Sequence, residues 1–338
     1  MQKDNTLKRV RINYLLFLLP FPFLLASCHR QDLSNKPGEL IYSKLFEGRS
    51  PFYNKIPVNA EVDPRSDIMV QSLVDQADEA FVIAVKEWTV PVYYADAFTP
   101  RQEVKLTASW APKKAMLDVP VPAFAEPDPS DDGSLAIVDF ENGCVYDFWR
   151  MRYRNGRWKA AWGNALPLDS DGIFPRGLSA RGSGFELLQG LIWPQELKNG
   201  HIDHALIFSY DHTRAGGPVA PATESDGTSN DAWAIPEGAL VQLDPGLNLD
   251  SLGLNAYERT IAAALQEYGM YCADDGGGLQ LYAINPVCVK SNPYENIWGD
   301  RSLVFLDKIP ADRFRILKLP PQSNVEPRIV LNACNKFK

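Results

Sequence analysis

Two Asn-Gly turns in the middle of the chain constrain its fold more than any other stretch. Asn142-Gly143 and Asn155-Gly156 separate residues 135–140, 144–153 and 157–162, each rich in strand-forming side chains. Asn-Gly readily takes the left-handed backbone of a tight hairpin, so the pair predicts three successive antiparallel strands. Alternation in the second strand puts Val145, Asp147, Trp149, Met151 and Tyr153 on one side and Tyr146, Phe148, Arg150 and Arg152 on the other. Neither side is cleanly apolar. That pattern predicts a sheet with one face on the core and an outer face crowded with aromatic and polar groups.

The rest of the chain follows the same style. Residues 81–85, 90–94, 103–109, 201–210, 305–309 and 314–317 read as further strands. Residues 270–274 and 279–284 read as a hairpin across Asp275-Gly276-Gly277-Gly278. A proline-rich crossing runs through Pro120, Pro122, Pro127 and Pro129, residues 163–199 are loop-rich, and residues 219–231 form a long polar loop. Helices are few. Ser66-Asp67 caps one that carries Ile68, Met69, Leu73 and Ala77, and Pro194 opens a single turn that Asn199-Gly200 stops. The clearest helix is residues 255–268. Asn255 and Glu258 make a capping box, Tyr257, Ile261, Leu265 and Tyr268 form one stripe, and Gly269 ends it. Strict strand–helix alternation is absent, so the expected fold is mostly β, a β-sandwich of jelly-roll type.

The N-terminus carries an address. Lys3, Lys8, Arg9 and Arg11 precede an apolar run over residues 14–25, and small residues then lead to Cys28. This is the layout of a secretory signal. The run is too short to span a bilayer as a helix, and Pro20 and Pro22 interrupt it. Leu25-Ala26-Ser27-Cys28 resembles the lipobox of bacterial lipoproteins. The resemblance implies removal of residues 1–27, acylation (palmitate among the chains) at Cys28, and attachment to a membrane of the cell envelope. Several acyl chains anchor durably where one is marginal. His29 stands where an Asp would signal retention at the inner membrane, which implies the outer membrane in a Gram-negative source. Residues 28–55 then read as a flexible tether, and residues 56–338 as a single large β-sandwich domain. At the level of architecture alone, that domain resembles secreted jelly-roll polysaccharide lyases and glycoside hydrolases. No catalytic motif of those families matches residue by residue.

The net charge of −8 argues against nucleic acid, whose binding is dominated by phosphate neutralisation. It leaves uncharged glycans open. With Cys28 acylated, Cys144, Cys272, Cys288 and Cys334 remain, an even number that suggests two disulfides in an exported chain. Three pairings are open. Cys272–Cys288 closes the shortest loop and comes first, leaving Cys144 with Cys334. No CxxC spacing points to zinc or redox chemistry.

Three of the four histidines fall within twelve residues, at His201, His204 and His212. On a strand, His201 and Asp203 share a face, a pairing that can orient an imidazole and raise its basicity. His204 shares the other face with Ile202, Leu206 and Phe208, and reads as a core histidine with satisfied hydrogen bonds. His-x-x-His on a strand splits its ligands between faces, which argues against a metal. Asp139 with Glu141 and Asp147 beside Trp149 are carboxylate candidates that solvated turns explain equally well. Asp274 to Gly278 lacks the ligand pattern of an EF-hand and reads as a turn, with calcium between sandwich loops as the one cation it admits. Otherwise no cofactor is expected. Trp149, Tyr153 and Trp162, with Tyr268, Tyr271 and Tyr282, offer a stacking platform for sugar rings. The sharpest expectation is a polysaccharide lyase or hydrolase using His201, Asp203 and Tyr271, with Trp149, Tyr153 and Trp162 binding the glycan. The competing one is a non-catalytic lipoprotein that binds a glycan or a protein.

Overall fold

The described residues contain fifteen strands in three sheets and only three short α-helices, so the mostly-β expectation holds. A computed structural model describes residues 40–338 except Ala80 and Val325. The expected signal segment 1–27 and the expected lipidation site Cys28 lie outside the described residues. In chain order the first five strands are β1 (Phe81–Ala84), β2 (Val92–Ala95), β3 (Arg101–Leu106), β4 (Ala115–Pro120) and β5 (Leu135–Asp139). Next come β6 (Cys144–Trp149), β7 (Arg152–Arg154), β8 (Arg157–Ala160), β9 (Trp162–Pro167) and β10 (Leu206–Tyr210). The last are β11 (Leu240–Leu243), β12 (Met270–Asp275), β13 (Leu279–Tyr282), β14 (Leu303–Phe305) and β15 (Phe314–Ile316).

A seven-stranded sheet has the order β14-β1-β13-β10-β12-β11-β15, and two four-stranded sheets run β2-β5-β6-β9 and β4-β3-β8-β7. Alternation sorts the residues of the large sheet between two cores. Leu206 and Phe208 of β10 and Met270 and Cys272 of β12 pack with the helices α1 (Ser66–Glu79) and α3 (Ala256–Glu267) through Met69, Leu73, Ile261 and Leu265. Ile207, Tyr271 and Ala273 point the other way, into a core shared with Val92, Ile137 and Phe148 of a smaller sheet. α3 begins at the expected capping box: the Glu258 N–H donates to Asn255 Oδ1 at 3.0 Å, and the Asn255 N–H donates to Glu258 Oε2 at 2.7 Å. Such a cap is worth about 1 kcal/mol. The single turn α2 (Pro194–Asn199) closes on Gly200 at φ +69°, a left-handed value that suits glycine.

The details depart from expectation in several places. The Asn155-Gly156 hairpin forms, with φ of +53° and +73°, but residues 144–153 are two strands. Arg150 turns to φ +54° and its N–H donates to Asp132 O at 2.6 Å, which hands β7 and β8 to a different sheet from β6. Both faces of β6 are then covered, so its expected outer face does not exist, and Asp147 is fully buried. Residues 270–284 are not a hairpin either: β10 sits between β12 and β13, parallel to the first and antiparallel to the second. β1 with β13, β2 with β5 and β3 with β8 are parallel as well. This mixed, three-sheet layout is consistent with the expected β-sandwich, while its parallel pairs give no support for a jelly roll in particular.

Residues 40–55 are not a tether. Phe46 and Phe52 are buried, the Tyr94 hydroxyl donates to Ile41 O at 2.7 Å, and the Ala205 N–H donates to Phe52 O at 2.7 Å. Two buried phenylalanines hold this stretch against the body of the protein. Of the cysteines, Cys144 and Cys334 are bonded, whereas Cys272 and Cys288 are free and buried. The large sheet explains why the shorter pairing fails: Cys272 faces the helices and Cys288 belongs to the opposite core. Among the described residues, no helix is long and apolar enough to cross a membrane.

Candidate active site

The predicted catalytic trio does not converge. His201 lies exposed in the loop after α2, where its backbone N–H donates to Glu196 O at 3.1 Å. The strand there starts five residues later, so no alternation aligns His201 with Asp203. Asp203 forms an ion pair with Lys44, which with its hydrogen bond holds the carboxylate below its usual range against the opposing effect of burial. Tyr271 is buried, its ring 4.8 Å from that of Phe52 and 5.8 Å from that of Phe185, and burial alone pushes its hydroxyl to about 12. His204 is the satisfied core histidine expected, with Nε2 and Nδ1 each 2.9 Å from Glu196 Oε1 and Ala205 O. Trp162 is fully buried, stacked on Phe337 with centroids 5.7 Å apart, and has no face for a ligand. Tyr153 is exposed on the β7–β8 hairpin, against Trp158, and does not line the cleft described next. Of the six aromatics predicted as a sugar platform, Trp149 and Tyr282 line a cleft.

That cleft encloses about 850 Å³, the size of a substrate site. It lies at the end of β12, between the large sheet and loops that carry Ser179 to Gly182 and Glu224 to Asp226. A β-bulge aims its central residue. Phe208 pairs with Cys272 but Ser209 pairs with Asp274, so Ala273 is extra. Without that insertion Asp274 would follow Met270 and Cys272 to the helix side; with it, the carboxylate faces the cleft. Asp274 accepts from Arg181 Nη1 at 2.8 Å and from the Gly182 N–H at 3.0 Å, with its side chain 26 % exposed. Burial outweighs the Arg181 charge and lifts its pKa to about 6.

Arg181 is buried and serves more than one acid. Behind it, Asp147 and Glu186 are both fully enclosed. Burial raises both Asp147 and Glu186 above the carboxylate range, the Asp147 charge raises Glu186 further, and the Arg181 charge opposes both shifts. The Leu187 N–H donates to Asp147 Oδ2 at 2.9 Å, and the Glu186 carboxyl lies against Asp147 and the Leu188 N–H. This pair fixes the guanidinium from the protein side; Asp274 meets it from the cleft side.

Glu224 reaches the cleft from the long polar loop. Its Oε2 accepts the Leu178 N–H at 2.6 Å, yet burial dominates and raises the carboxyl to about 7. Asp226 interacts electrostatically with both Glu224 and Asp274, so the three share one region. Burial and then the Asp275 charge raise Asp226, and burial and then the Asp226 charge hold Glu237 well above its ordinary value. The Asp226 N–H donates to Glu237 Oε2 at 3.0 Å.

Three indoles wall the space. Trp88 is 45 % and Trp110 54 % exposed, and Trp149 donates from Nε1 to Asp132 Oδ1 at 3.1 Å. Trp88 holds φ at +60°, a strained value for a bulky residue that is characteristic of functional positions. Buried Asp128 clamps that turn by accepting the Trp88 and Thr89 N–H groups and the Asn285 Nδ2 at 3.0 Å. Sequence reasoning missed Trp88, Trp110, Arg181, Glu224, Asp226 and Glu237. Asp274 was noticed only as part of a turn. Among the described residues no group of three or more His, Cys, Asp or Glu side chains is arranged to hold a metal ion, and the Asp274–Gly278 stretch belongs to the cleft. No protein-family model, no curated protein and no solved structure matches this chain.

Proposed function

We propose that this chain is an exported, lipid-anchored protein that hydrolyses a polysaccharide in the tryptophan-walled cleft. The observation that carries the reading is two carboxyl groups of raised pKa, Glu224 and Asp274, in one cleft with three indole walls. Glycoside hydrolysis needs one carboxyl to protonate the leaving oxygen and a second, ionised, to act at the anomeric carbon. Glu224, raised to about 7 by burial, retains a substantial protonated fraction near neutral pH and serves as the acid. Asp274, at about 6 and oriented by Arg181 and Gly182, is ionised and serves as base or nucleophile. Sugar C–H faces stack on Trp88, Trp110 and Trp149. Hydrolysis is favoured over elimination of a uronate, because a uronate carboxyl needs a free cation and Arg181 is engaged by Asp274.

Reducing-end release across a panel of polysaccharides tests the activity. The Trp88→Ala/Trp110→Ala variant is expected to raise KM about tenfold with kcat little changed, since stacking holds the glycan but takes no part in bond breaking. Equal KM values in the two proteins would remove the indoles from the binding surface. Membrane attachment is read separately. Cys28→Ser is expected to move the chain from the membrane pellet to the soluble fraction, and its retention in the pellet would refute acylation at Cys28.

A further inference from the structure

We propose that Gln280 is the specificity-determining residue of the cleft, and that its carboxamide holds adjacent hydroxyl groups of a neutral sugar seated beside Asp274. This names a substrate class for the cleft and rests, for its catalytic use, on the hydrolase reading above. Sheet register places the residue. Ser209 of β10 pairs with Asp274 of β12 on one side and with Gln280 of β13 on the other. All three line the cleft, so they form one row across three neighbouring strands. Adjacent strands lie about 4.8 Å apart, which sets the Asp274 and Gln280 backbones about 10 Å apart, a span that one pyranose ring and its hydroxyls bridge. Leu279 and Leu281, on either side of Gln280, belong to the helix-side core, so alternation turns the carboxamide to the cleft.

That carboxamide is unengaged. Other glutamine amides are tied to the backbone: Gln189 Nε2 donates to Gly172 O at 2.6 Å, and Gln242 Nε2 donates to Gln266 O at 2.6 Å. Polar neighbours in the cleft are tied as well. Thr89 Oγ1 donates to Ala283 O at 2.6 Å, Ser179 Oγ donates to Arg181 O, and Ser209 hydrogen-bonds Tyr282. Among the described residues no group hydrogen-bonds the half-buried side chain of Gln280. Its NH2 and C=O stand side by side, a donor and an acceptor that match two adjacent hydroxyls, one accepting and one donating. Once a glycan covers the cleft, an unmatched amide costs its lost hydration, so a sugar with the hydroxyls turned elsewhere is rejected. The indoles supply affinity without this selection, because an apolar ring face stacks whatever the hydroxyl pattern at its rim. A charged sugar fits poorly. Arg181 is the only cation among the described residues that lines the cleft, and Asp274 engages it, so a uronate or sulfate would meet carboxyl groups and no free counter-charge.

Quenching of tryptophan fluorescence tests this without requiring turnover. The probes are cellohexaose, mannohexaose, xylohexaose and maltohexaose, with hexagalacturonate as the charged comparison. The wild-type protein is expected to bind one neutral hexaose about tenfold or more tightly than the weakest of the four, and hexagalacturonate more weakly still. Gln280→Met keeps the length of the side chain and removes both hydrogen-bonding groups. It should weaken the preferred hexaose about tenfold and bring the four to within about twofold of one another. A merely structural role would weaken all four alike and leave their order intact. Gln280→Leu is the second variant if Gln280→Met does not fold. Absence of binding by every neutral hexaose, tighter binding of hexagalacturonate, or a preference unchanged in the variant overturns the proposal. Turnover is scored separately. Selectivity that depends on Gln280 with no hydrolysis of any hexaose leaves this assignment standing and removes the hydrolase reading. Hydrolysis with a hexaose preference that Gln280→Met does not alter does the reverse.

Discussion

Replacing Glu224 by Gln is expected to lower kcat on a susceptible polysaccharide by about a thousandfold, the usual scale for loss of a general acid, with KM little changed. The amide keeps an oxygen for the Leu178 N–H, so the loop stays in place. An aryl glycoside with a good leaving group needs no proton, and the variant should cleave it within a few-fold of the wild-type rate. The pH profile adds an independent reading. Asp274 acts ionised, so the rate climbs as pH rises through about 6; Glu224 acts protonated, so the rate falls as pH rises through about 7. The result is a narrow bell, and Glu224→Gln should lose its alkaline limb. Asp274→Asn should lower kcat at least as far on both kinds of substrate. It also leaves buried Arg181 short of an ionised partner, so its fold must be checked by circular dichroism. A flat wild-type profile, or an aryl glycoside affected by Glu224→Gln as strongly as the polysaccharide, would take Glu224 out of the acid role.

Local signals were legible and convergent ones were not. The capping box at Asn255 and the Asn155-Gly156 turn are readable because each is decided by residues within a few positions of one another. The strand after Cys144 was read too long, because the break at Arg150 is made by a bond to Asp132, eighteen residues earlier. The false hairpin at residues 270–284 has the same origin: nothing in that segment announces that β10 pairs between its halves. The candidate site failed for a related reason. Histidines attract attention because they are rare, but His201 is exposed and Tyr271 faces phenylalanines. Aspartates and glutamates are common, and those at 181-neighbouring 274, 224, 226 and 237 become distinctive only through burial and mutual approach. Two faint marks were present. The polar loop over residues 219–231 carries Glu224 and Asp226, and the Asp274-Asp275 pair ends a strand.

Cys144→Ser with Cys334→Ser is expected to cost about 5 kcal/mol of unfolding free energy, because the bond closes a loop of 190 residues and long loops lose the most entropy when cross-linked. The measurement is a urea unfolding midpoint with and without reductant. Reductant should lower the wild-type midpoint towards that of the double variant and leave the variant unmoved, since Cys272 and Cys288 are already free thiols. An unchanged wild-type midpoint would contradict the linkage. The expected consequence extends to the cleft, because the bond fastens the C-terminal tail. Asn335 Nδ2 donates to Asn164 Oδ1 at 3.0 Å, and Phe337 stacks on Trp162 with its ring plane 6° away. Trp162 in turn lies 5.7 Å from Trp110, an indole of the cleft wall, and donates from Nε1 to Leu178 O at 2.6 Å. Leu178 is the residue whose N–H holds Glu224. Loss of the cross-link therefore slackens a stacking wall and the mount of the proposed acid together. Below the temperature at which the variant unfolds, it should show a higher KM and a lower kcat at once, whereas the Trp88→Ala/Trp110→Ala protein moves KM alone.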